Sequence, residues 1–426
     1  MTEVVTLGCR LNAFESEVMR RHADQAGLTD TVIVNTCAVT KEAERQARQA
    51  IRRLRRERPG ARIIVTGCAA QLHPERFAAM KEVDRVLGNI EKLDPASYAE
   101  TGAPVAVSDI MAAREDSPHL FDGPPLDGFG DRARAFVQVQ QGCDHRCTFC
   151  IIPFARGRSV SLPPERVIEQ VRRLTAAGYA EVVLTGVDVS SYGSDLGDGL
   201  TLGRLATRLL AEVPKLRRLR LSSLDPAVAD ERLIALLGEE PRLMPHLHLS
   251  LQAGDDVILK RMKRRHLTAD AVELCRHLRA ARPDLVFGAD LIVGFPTESE
   301  EQFQNGLGHI AELGELGLVY LHVFPYSAHD GTPSARMPQV PSSDRKRRAA
   351  ALRSLGDGLL ARYLDSRIGT TAKVLVETEG NGRSEHYASV RLPTGAAPGA
   401  IVAARIEARA GGGLIGITTA SAINRE

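Results

Sequence analysis

Strand-like and helix-like segments alternate along most of this 426-residue chain. Three runs of β-branched residues near its start end at positions 8, 36 and 67, and helix-like stretches, 15–26 and 41–58, follow the first two. Such alternation is typical of a parallel sheet with helical connections. Six further strand-like segments lie in the middle of the chain: Ala135–Gln140, Glu181–Thr185, Arg217–Ser222, His246–Leu251, Val286–Ile292 and Leu318–Phe324. We therefore predict an α/β protein with an N-terminal Rossmann-like parallel sheet and a central partial (β/α)6 barrel.

The character of the sequence changes at several places, and these changes indicate the domain boundaries. A segment rich in Pro, Gly and Asp separates the first two alternating regions, and a charged helix-like segment follows the second. After it come short β-type runs between Gly-rich turns, which is typical of a small antiparallel barrel. We predict an N-terminal domain at 1–112, a linker at 113–132, a barrel domain at 133–341, a connecting helix at 342–367 and a C-terminal β-barrel at 368–426.

The composition is that of an ordinary soluble globular protein, with 43% hydrophobic and 25% charged residues. The chain begins without a basic stretch that leads into a long apolar run, so we expect neither a secretion signal nor a membrane span. The 7 cysteines should therefore be reduced thiols in the cytoplasm. A disulfide framework is disfavoured for the same reason.

Three of these cysteines stand in a Cys-x3-Cys-x2-Cys pattern: Cys143, Cys147 and Cys150. Three thiolates at this spacing fit three irons of a cubane iron–sulfur cluster and leave the fourth iron without a protein ligand. A cluster that only transfers electrons normally takes four thiolates, so the pattern indicates chemistry at the open iron. A zinc site with His145 as the fourth ligand is the alternative, although structural zinc loops usually split their ligands into two separated pairs.

Three other cysteines directly follow the β-branched runs near the start of the chain: Cys9, Cys37 and Cys68. The carboxyl ends of parallel strands share one edge of a sheet, so these residues should converge. A second three-thiolate cluster is the more economical interpretation, and three separately buried thiols are the alternative. Cys275 lies in an amphipathic helical run, where we expect a packed free thiol.

Taken together, the motifs resemble the radical S-adenosylmethionine methylthiotransferases over nearly the whole chain. The N-terminal motifs are Thr6–Asn12 with Glu15–Glu17, Asn35–Thr40 and Val65–Gln71. The central motifs are Gly142–Pro153 with Arg156 and Gly157, and Asp290–Pro296. Two further segments are most similar to the branch that modifies threonylcarbamoyladenosine beside the tRNA anticodon: Leu247–Asp256 and His322–Ser327.

The resemblance implies two [4Fe–4S] clusters and S-adenosyl-L-methionine as cofactors. Cys143, Cys147 and Cys150 would carry the cluster that cleaves the cofactor to a 5'-deoxyadenosyl radical. The three N-terminal cysteines would carry an auxiliary cluster that holds the sulfur to be inserted. The expected product is the 2-methylthio derivative of N6-threonylcarbamoyladenosine at tRNA position 37.

Other functions are compatible with the same motifs. Isopentenyladenosine in tRNA and an aspartate of a ribosomal protein are alternative substrates within the family. A non-catalytic RNA-binding protein with structural metal centres is an alternative of another class. The identity of the substrate distinguishes the two alternative reactions from our leading prediction. Cleavage of S-adenosylmethionine distinguishes an enzyme from the non-catalytic RNA-binding protein.

Polar groups should ring the mouth of the central barrel, because the carboxyl ends of its strands meet there. From this ring we predict cofactor contacts at Asp188, Ser250, Gln252 and Asp290. For each of them a role in capping or in stabilising a loop is the alternative. Phe149, between two of the cluster cysteines, resembles the family's aromatic residue on the adenine side of the cofactor.

The resemblance also implies a tRNA substrate and a reducing electron donor such as flavodoxin or ferredoxin, and no membrane partner. The net charge of +2 is too small to indicate nucleic-acid binding by itself. Basic clusters at 260–265 and 345–348 are suited to phosphates, whereas the arginines of 45–58 alternate with apolar residues, as on a solvated helix face. The C-terminal β-barrel is similar to the TRAM-like RNA-binding module that usually ends these enzymes.

Overall fold

The computed structural model of the chain describes residues 2–99, 102–112, 125–130, 132–228 and 230–419. Most of the predicted linker at 113–132 lies outside these ranges. Among the described helices, none combines the length and the apolar character that crossing a membrane requires.

A five-stranded parallel sheet forms the N-terminal region, with its strands in chain order. Its elements are β1 (Glu3–Thr6), α1 (Arg10–Gln25), β2 (Thr31–Thr36), α2 (Lys41–Glu57), β3 (Arg62–Gly67), α3 (Cys68–Leu72), α4 (Pro74–Ala78), β4 (Arg85–Leu87) and β5 (Val105–Ala106). The strand β2 is buried along its whole length, because α1 and α2 cover opposite faces of the sheet. Thr40 caps α2 by accepting a hydrogen bond from the backbone N–H of Ala43 at 3.1 Å. The predicted parallel sheet is confirmed.

Two three-stranded parallel sheets form the central region. Its elements are β6 (Ala135–Gln138), β7 (Gln140–Gln141), α5 (Ile152–Arg156), β8 (Val160–Ser161), α6 (Pro164–Ala176), β9 (Glu181–Thr185), α7 (Leu202–Glu212), β10 (Arg218–Leu221), α8 (Glu231–Glu239), β11 (His246–Gln252), α9 (Asp256–Arg261), α10 (Thr268–Ala281), β12 (Val286–Val293), α11 (Glu300–Glu315) and β13 (Leu318–Pro325). The strands β6, β9 and β10 make one sheet, and β11, β12 and β13 make the other. Backbone bridges from Leu219 to Leu243 and from Leu224 to Leu249 join the two sheets. The six main strands therefore form the open partial barrel that the sequence predicts.

A long helix and a closed β-barrel end the described chain. Their elements are α12 (Ser342–Ser366), β14 (Thr371–Thr378), β15 (Asn381–Ser384), β16 (Ser389–Arg391), β17 (Ile401–Ala410) and β18 (Gly413–Thr418). Four of the five strand pairings in this barrel are antiparallel, and β16 pairs with β18 in parallel. The small C-terminal barrel is confirmed, with that one parallel pairing as the difference.

A loop of the C-terminal barrel packs against the amino ends of the central strands. Tyr387, between β15 and β16, stacks on His246 with ring centroids 4.9 Å apart. Guanidinium groups from several parts of the chain lie within 5.8 Å of the Tyr387 ring: those of Arg10, Arg134, Arg220 and Arg383. Because Arg10 comes from α1, this one ring contacts the N-terminal, central and C-terminal regions.

Candidate active site

The first cysteine set, which we call the sheet cysteines, lies where three neighbouring strands end. Cys9 follows β1, Cys37 follows β2 and Cys68 directly follows β3. Gly8 turns the chain with a φ of +98°, and a Cβ atom at this position would lie 2.8 Å from the Sγ of Cys37. Only glycine tolerates both that backbone and that approach. The structure thus brings the three predicted residues together at one edge of the sheet.

Burial holds the proton on the thiol of Cys37. Cys37 and Cys68 are buried, and Cys9 is exposed. Burial raises the pKa of Cys37 to about 12, and the charges of Cys68 and Cys9 also raise it. A thiol of this kind stays protonated at neutral pH unless a cation takes the place of its proton, as a ligated metal does.

A network of buried charged side chains lies against Cys68. The Nε atom of Arg156 lies 3.1 Å from the Sγ of Cys68, and the two NH groups of the same guanidinium donate to the carboxylate of Glu15. Lys92 donates from Nζ to Glu15 and to the Oδ1 of Asn89, both at 2.6 Å. Arg156, Lys92 and Glu15 are at most 2% exposed.

This network holds two cationic groups and one carboxylate. Burial tends to raise the pKa of Glu15, but Arg156 and Lys92 lower it below its ordinary value, so the carboxylate is ionised. The pKa of Lys92 is lowered, because burial and the charge of Arg156 outweigh the attraction of Glu15. An excess of buried positive charge is unfavourable without a counter-charge. Anionic sulfur on the sheet cysteines would supply it, so this donor set fits an anionic iron–sulfur cluster.

Sequence reasoning did not identify Lys92 and Asn89, and it noted Glu15 and Arg156 only as parts of motifs. Glu15 carries a signal in the sequence, because it shares the inner face of α1 with the buried residues Leu11 and Met19. A carboxylate on an apolar helix face needs a buried cationic partner. The pattern does not say which residue provides that partner.

The second cysteine set, which we call the loop cysteines, comprises Cys143, Cys147 and Cys150 between β7 and α5. The backbone N–H of Cys143 donates to the carbonyl oxygen of Gly157 at 3.1 Å. Gly142 has a φ of +71°, and a Cβ atom there would lie 1.7 Å from the backbone carbonyl oxygen of Arg158. Burial raises the pKa of Cys143 to about 12 and that of Cys150 to about 11. The short loop thus holds half-buried thiols in a fixed arrangement.

Polar groups contact the loop cysteines from two sides. A hydrogen bond from the backbone N–H of His145 favours the thiolate of Cys143, and the Arg264 guanidinium lies 3.7 Å from the Sγ of Cys147. Such contacts to ligating sulfur tune iron–sulfur clusters. The imidazole of His145, the alternative zinc ligand, lies 2.9 Å from the carboxylate of Asp188. This contact lowers the pKa of Asp188 against the effect of burial.

A cleft of about 220 Å³ lies beside the loop cysteines, where the N-terminal sheet meets the central barrel. Val39 and Thr40, just after Cys37 in the chain, line it from the N-terminal sheet, and Cys150 lines it from the central barrel. A hydrogen bond of 3.1 Å between His329 and the carbonyl oxygen of Val39 joins the two sides. The lining of the cleft combines apolar and aromatic side chains with a few polar groups, which is typical of a small-molecule site.

The structure places three of the five predicted cofactor contacts on this cleft: Phe149, Gln252 and Asp290. The other two, Asp188 and Ser250, lie beside the loop cysteines. Asp188 pairs with His145, and the carbonyl oxygen of Ser250 accepts a hydrogen bond of 2.9 Å from Arg264. Both partners also contact the loop, so all five predicted residues surround the same region.

The fold and the site together define a class of protein. An open parallel barrel carries a three-cysteine loop after its first main strand, and this loop faces a cleft at the carboxyl ends of the strands. These are the features of a radical S-adenosylmethionine enzyme. In agreement, residues 137–310 match the Radical SAM superfamily. Residues 2–88 match a family described as Uncharacterized protein family UPF0004.

Relatives with assigned activities resemble the whole chain. The threonylcarbamoyladenosine tRNA methylthiotransferase MtaB of Rickettsia prowazekii is 48% identical over 95% of this chain and 94% of its own length. The protein of the same name from Bacillus subtilis is 36% identical over 87% of this chain and 84% of its own length. The tRNA-2-methylthio-N(6)-dimethylallyladenosine synthase of Sorangium cellulosum is 35% identical over 92% of this chain and 84% of its own length. This chain therefore belongs to the tRNA methylthiotransferase family that includes MtaB, whose members use [4Fe–4S] clusters and S-adenosylmethionine.

A solved structure supports the fold. The radical S-adenosylmethionine methyltransferase TsrM from Kitasatospora setae, with cobalamin and a [4Fe–4S] cluster bound, superposes with a TM-score of 0.54. The match covers 74% of this chain and 68% of TsrM at 16% sequence identity. At this identity the likeness concerns the fold alone.

Proposed function

We propose that this protein inserts sulfur and transfers a methyl group at carbon 2 of N6-threonylcarbamoyladenosine at tRNA position 37. The 48% identity to the Rickettsia prowazekii relative named for this reaction supports the substrate. The observation that carries the proposal is the presence of two three-cysteine sets, with a cleft that Cys150 of one set lines together with Val39 and Thr40, which follow Cys37 of the other. A structural metal site does not require two such sets, nor a cleft beside one of them.

The two cysteine sets have separate tasks in this proposal. Three thiolates serve a four-iron cluster with one vacant iron, so each set offers one open position. We assign the loop cysteines to the cluster that binds S-adenosylmethionine and the sheet cysteines to the auxiliary cluster. When bound, these groups supply the radical and the sulfur atom, and a second cofactor molecule supplies the methyl group.

Residues of the chain position and balance these groups. Arg156 and Lys92 place positive charge beside the sheet cysteines, which favours anionic sulfur there. Phe149 offers an aromatic surface for the adenine, and the polar contacts of the cofactor are assigned to Asp188, Ser250, Gln252 and Asp290.

The proposed partners are tRNA and a reducing electron donor such as flavodoxin or ferredoxin, in the cytoplasm. Cys147 lines a second recess together with the exposed basic side chains of Arg146, Lys263 and Arg265. Positive charge beside a cluster favours the approach of an acidic electron donor. Exposed arginines on α2 and the C-terminal barrel are the surfaces assigned to the phosphates of the tRNA.

Mass spectrometry of nucleosides from total tRNA tests the proposed function. A strain that lacks the gene is compared with its parent and with the same strain carrying the gene on a plasmid. We expect the 2-methylthio derivative of threonylcarbamoyladenosine to disappear, its precursor to accumulate and the plasmid to reverse both changes. If that nucleoside is unchanged in the deletion strain, the assigned substrate is wrong. Loss of the methylthio derivative of isopentenyladenosine would then identify the alternative tRNA substrate.

A further inference from the structure

Two histidines share one carboxylate oxygen in the central barrel. The Oδ1 atom of Asp290 lies 3.1 Å from the Nε2 of His248 and 3.3 Å from the Nδ1 of His322. The two imidazole rings are 4.8 Å apart between centroids and tilted by 37°. The three residues come from the neighbouring strands β11, β12 and β13, so the sheet itself brings them together.

This group lies next to the cleft that Cys150 lines. Asp290 lines the cleft. Along β13, His322 shares a face with Phe324 because side chains alternate in a strand, and Phe324 also lines the cleft. The side chain of His322 is 60% exposed, whereas that of His248 is 9% exposed. His322 is therefore the member of the group that a bound molecule can reach.

The contacts of His322 leave one nitrogen available. Its Nδ1 faces Asp290, and its Nε2 forms no hydrogen bond within the part of the chain that the structure describes. Burial tends to raise the pKa of Asp290, but the two imidazoles lower it well below its ordinary value, so the carboxylate is ionised. An ionised Asp290 accepts the Nδ1 proton of His322, and the ring then presents Nε2 outward in a fixed orientation.

Threonylcarbamoyladenosine and isopentenyladenosine, the two alternative tRNA substrates, differ in the polarity of the group on N6. The threonylcarbamoyl group on N6 carries a carboxylate, a hydroxyl and amide N–H groups, whereas the isopentenyl group carries no polar atom. A site built to hydrogen-bond a polar group rejects an analogue that lacks it, because the polar groups of the site are left unpaired. An imidazole that can donate an N–H from this group to a carboxylate therefore favours the threonylcarbamoyl group.

We propose that His322, oriented by Asp290 and packed on His248, donates from Nε2 of its imidazolium form to the carboxylate of the threonylcarbamoyl group. Only the imidazolium carries an N–H on Nε2 while Nδ1–H donates to Asp290. In this role His322 is a specificity-determining residue. The oxygen of Asp290 that does not face the imidazoles stays available to the cofactor. This inference rests on the proposed function, since it names what the same site recognises on its substrate.

Binding of anticodon stem-loops tests this assignment on the full-length protein with its clusters assembled. One stem-loop carries threonylcarbamoyladenosine at position 37, and the other carries adenosine. His322→Phe keeps an aromatic ring at this position but removes the N–H donor. We expect affinity for the modified stem-loop to fall roughly 10- to 100-fold, as for loss of one charge-assisted hydrogen bond. Affinity for the adenosine stem-loop should change little. His322→Gln can place an amide N–H near the Nε2 position and should keep part of the preference.

His277→Phe is the matched control, because His277 is an exposed histidine on α10 and does not line the cleft. It should bind both stem-loops as the parent protein does. Equal preference for the modified stem-loop in the parent and in His322→Phe would overturn the inference and leave the proposed function standing. If the parent itself shows no preference and forms no methylthio product on the modified stem-loop, both the inference and the proposed function are wrong.

Discussion

At the scale of single residues, Arg156 connects the two cysteine sets. It lies at the end of α5, shortly after the loop cysteines, and its Nε reaches the Sγ of Cys68 at 3.1 Å. The carbonyl oxygen of the preceding residue, Ala155, accepts a hydrogen bond of 2.6 Å from Asn89. The segment that follows the loop cysteines thus supplies Arg156, which is the charged partner of Cys68 among the sheet cysteines.

Replacing Arg156 should weaken the auxiliary cluster. In Arg156→Met the Sγ of Cys68 loses its cationic donor and keeps only the more distant Nδ2 of Asn89 at 4.0 Å, and Glu15 keeps only Lys92 as a cationic partner. Loss of such a contact to a metal ligand typically lowers metal affinity by roughly 10- to 100-fold. The measurement is the iron that remains bound after an anaerobic chelator challenge. It is made in a protein whose loop cysteines are changed to alanine, so that the iron reports the sheet cysteines alone.

A second buried arginine provides the control for this measurement. Arg348 is 4% exposed and donates to Glu298 at 2.7 Å, away from both cysteine sets. Arg348→Met should destabilise the fold but retain iron as the parent does. Equal iron retention in Arg156→Met and the parent would contradict the assigned role of Arg156.

The sequence predicts the cysteines of the site better than their partners. The loop cysteines are recognisable because their spacing is local, and the sheet cysteines because each follows a strand-like run. The contact between Lys92 and Glu15 joins residues 77 positions apart. Neither periodicity nor spacing describes such a contact, so it required the folded structure.

At the scale of secondary-structure elements, the carboxylate of Glu181 links three neighbouring strands through ion pairs. Glu181 on β9 lies 3.0 Å from the Nε of Arg134 and of Arg220, and 3.4 Å from an NH group of Arg218. Arg134 directly precedes β6, and the other two arginines lie on β10. Glu181 is fully buried, so these strands share a buried ionic centre at their amino ends.

Replacing Glu181 should destabilise the protein in a pH-dependent way. Glu181→Gln leaves the buried Arg218 and Arg220 without this carboxylate and Arg134 with Glu377 alone, and breaking a buried ion pair typically costs about 3–5 kcal/mol of unfolding free energy at neutral pH. In the folded protein the three arginines outweigh burial and lower the pKa of Glu181 from its ordinary 4.5. Its contribution is therefore complete above that value and is lost as the pH falls through the lowered pKa. Urea unfolding at about pH 7 and about pH 4 should show a smaller difference between variant and parent at the lower pH.

An exposed glutamate tests whether this effect depends on burial. Glu169 pairs with Arg172 and Arg173 on the surface of α6, where ion pairs contribute little. Glu169→Gln should leave the urea midpoint unchanged at both pH values. If Glu181→Gln were as stable as the parent at neutral pH, the buried ionic centre would not stabilise the barrel.

The prediction of elements succeeded where their patterns are long. The candidate strand Glu181–Thr185 coincides with β9, and Val286–Ile292 lies within β12. The two-residue strands β7 and β8, which flank the loop cysteines, were not predicted, because an alternating pattern does not exist over two residues. The parallel pairing of β16 with β18 was also missed, since it depends on how the closed barrel is arranged.

At the scale of the whole molecule, contacts between distant segments assemble the site. The cleft draws its walls from both the N-terminal sheet and the central barrel. At the other end of the barrel, Tyr387 contacts Arg10 across 377 positions of sequence. Tyr387 also has a φ of +71°, which is unusual for a residue other than glycine. The parallel sheet, the partial barrel and the small C-terminal barrel could be predicted from the sequence, whereas these contacts between them could not.

The separate tasks of the two cysteine sets are tested most directly by two single variants of the reconstituted enzyme. Cys143→Ala and Cys37→Ala are incubated anaerobically with S-adenosylmethionine, a strong reductant and tRNA that carries threonylcarbamoyladenosine. Cys275→Ala, which removes a buried thiol outside both sets, is the control and should behave as the parent does. Mass spectrometry then measures 5'-deoxyadenosine and the methylthio nucleoside in each reaction. We expect Cys143→Ala to form neither product, and Cys37→Ala to form 5'-deoxyadenosine without the methylthio nucleoside. Formation of the methylthio nucleoside by Cys37→Ala, or cofactor cleavage by Cys143→Ala, would contradict this division of tasks.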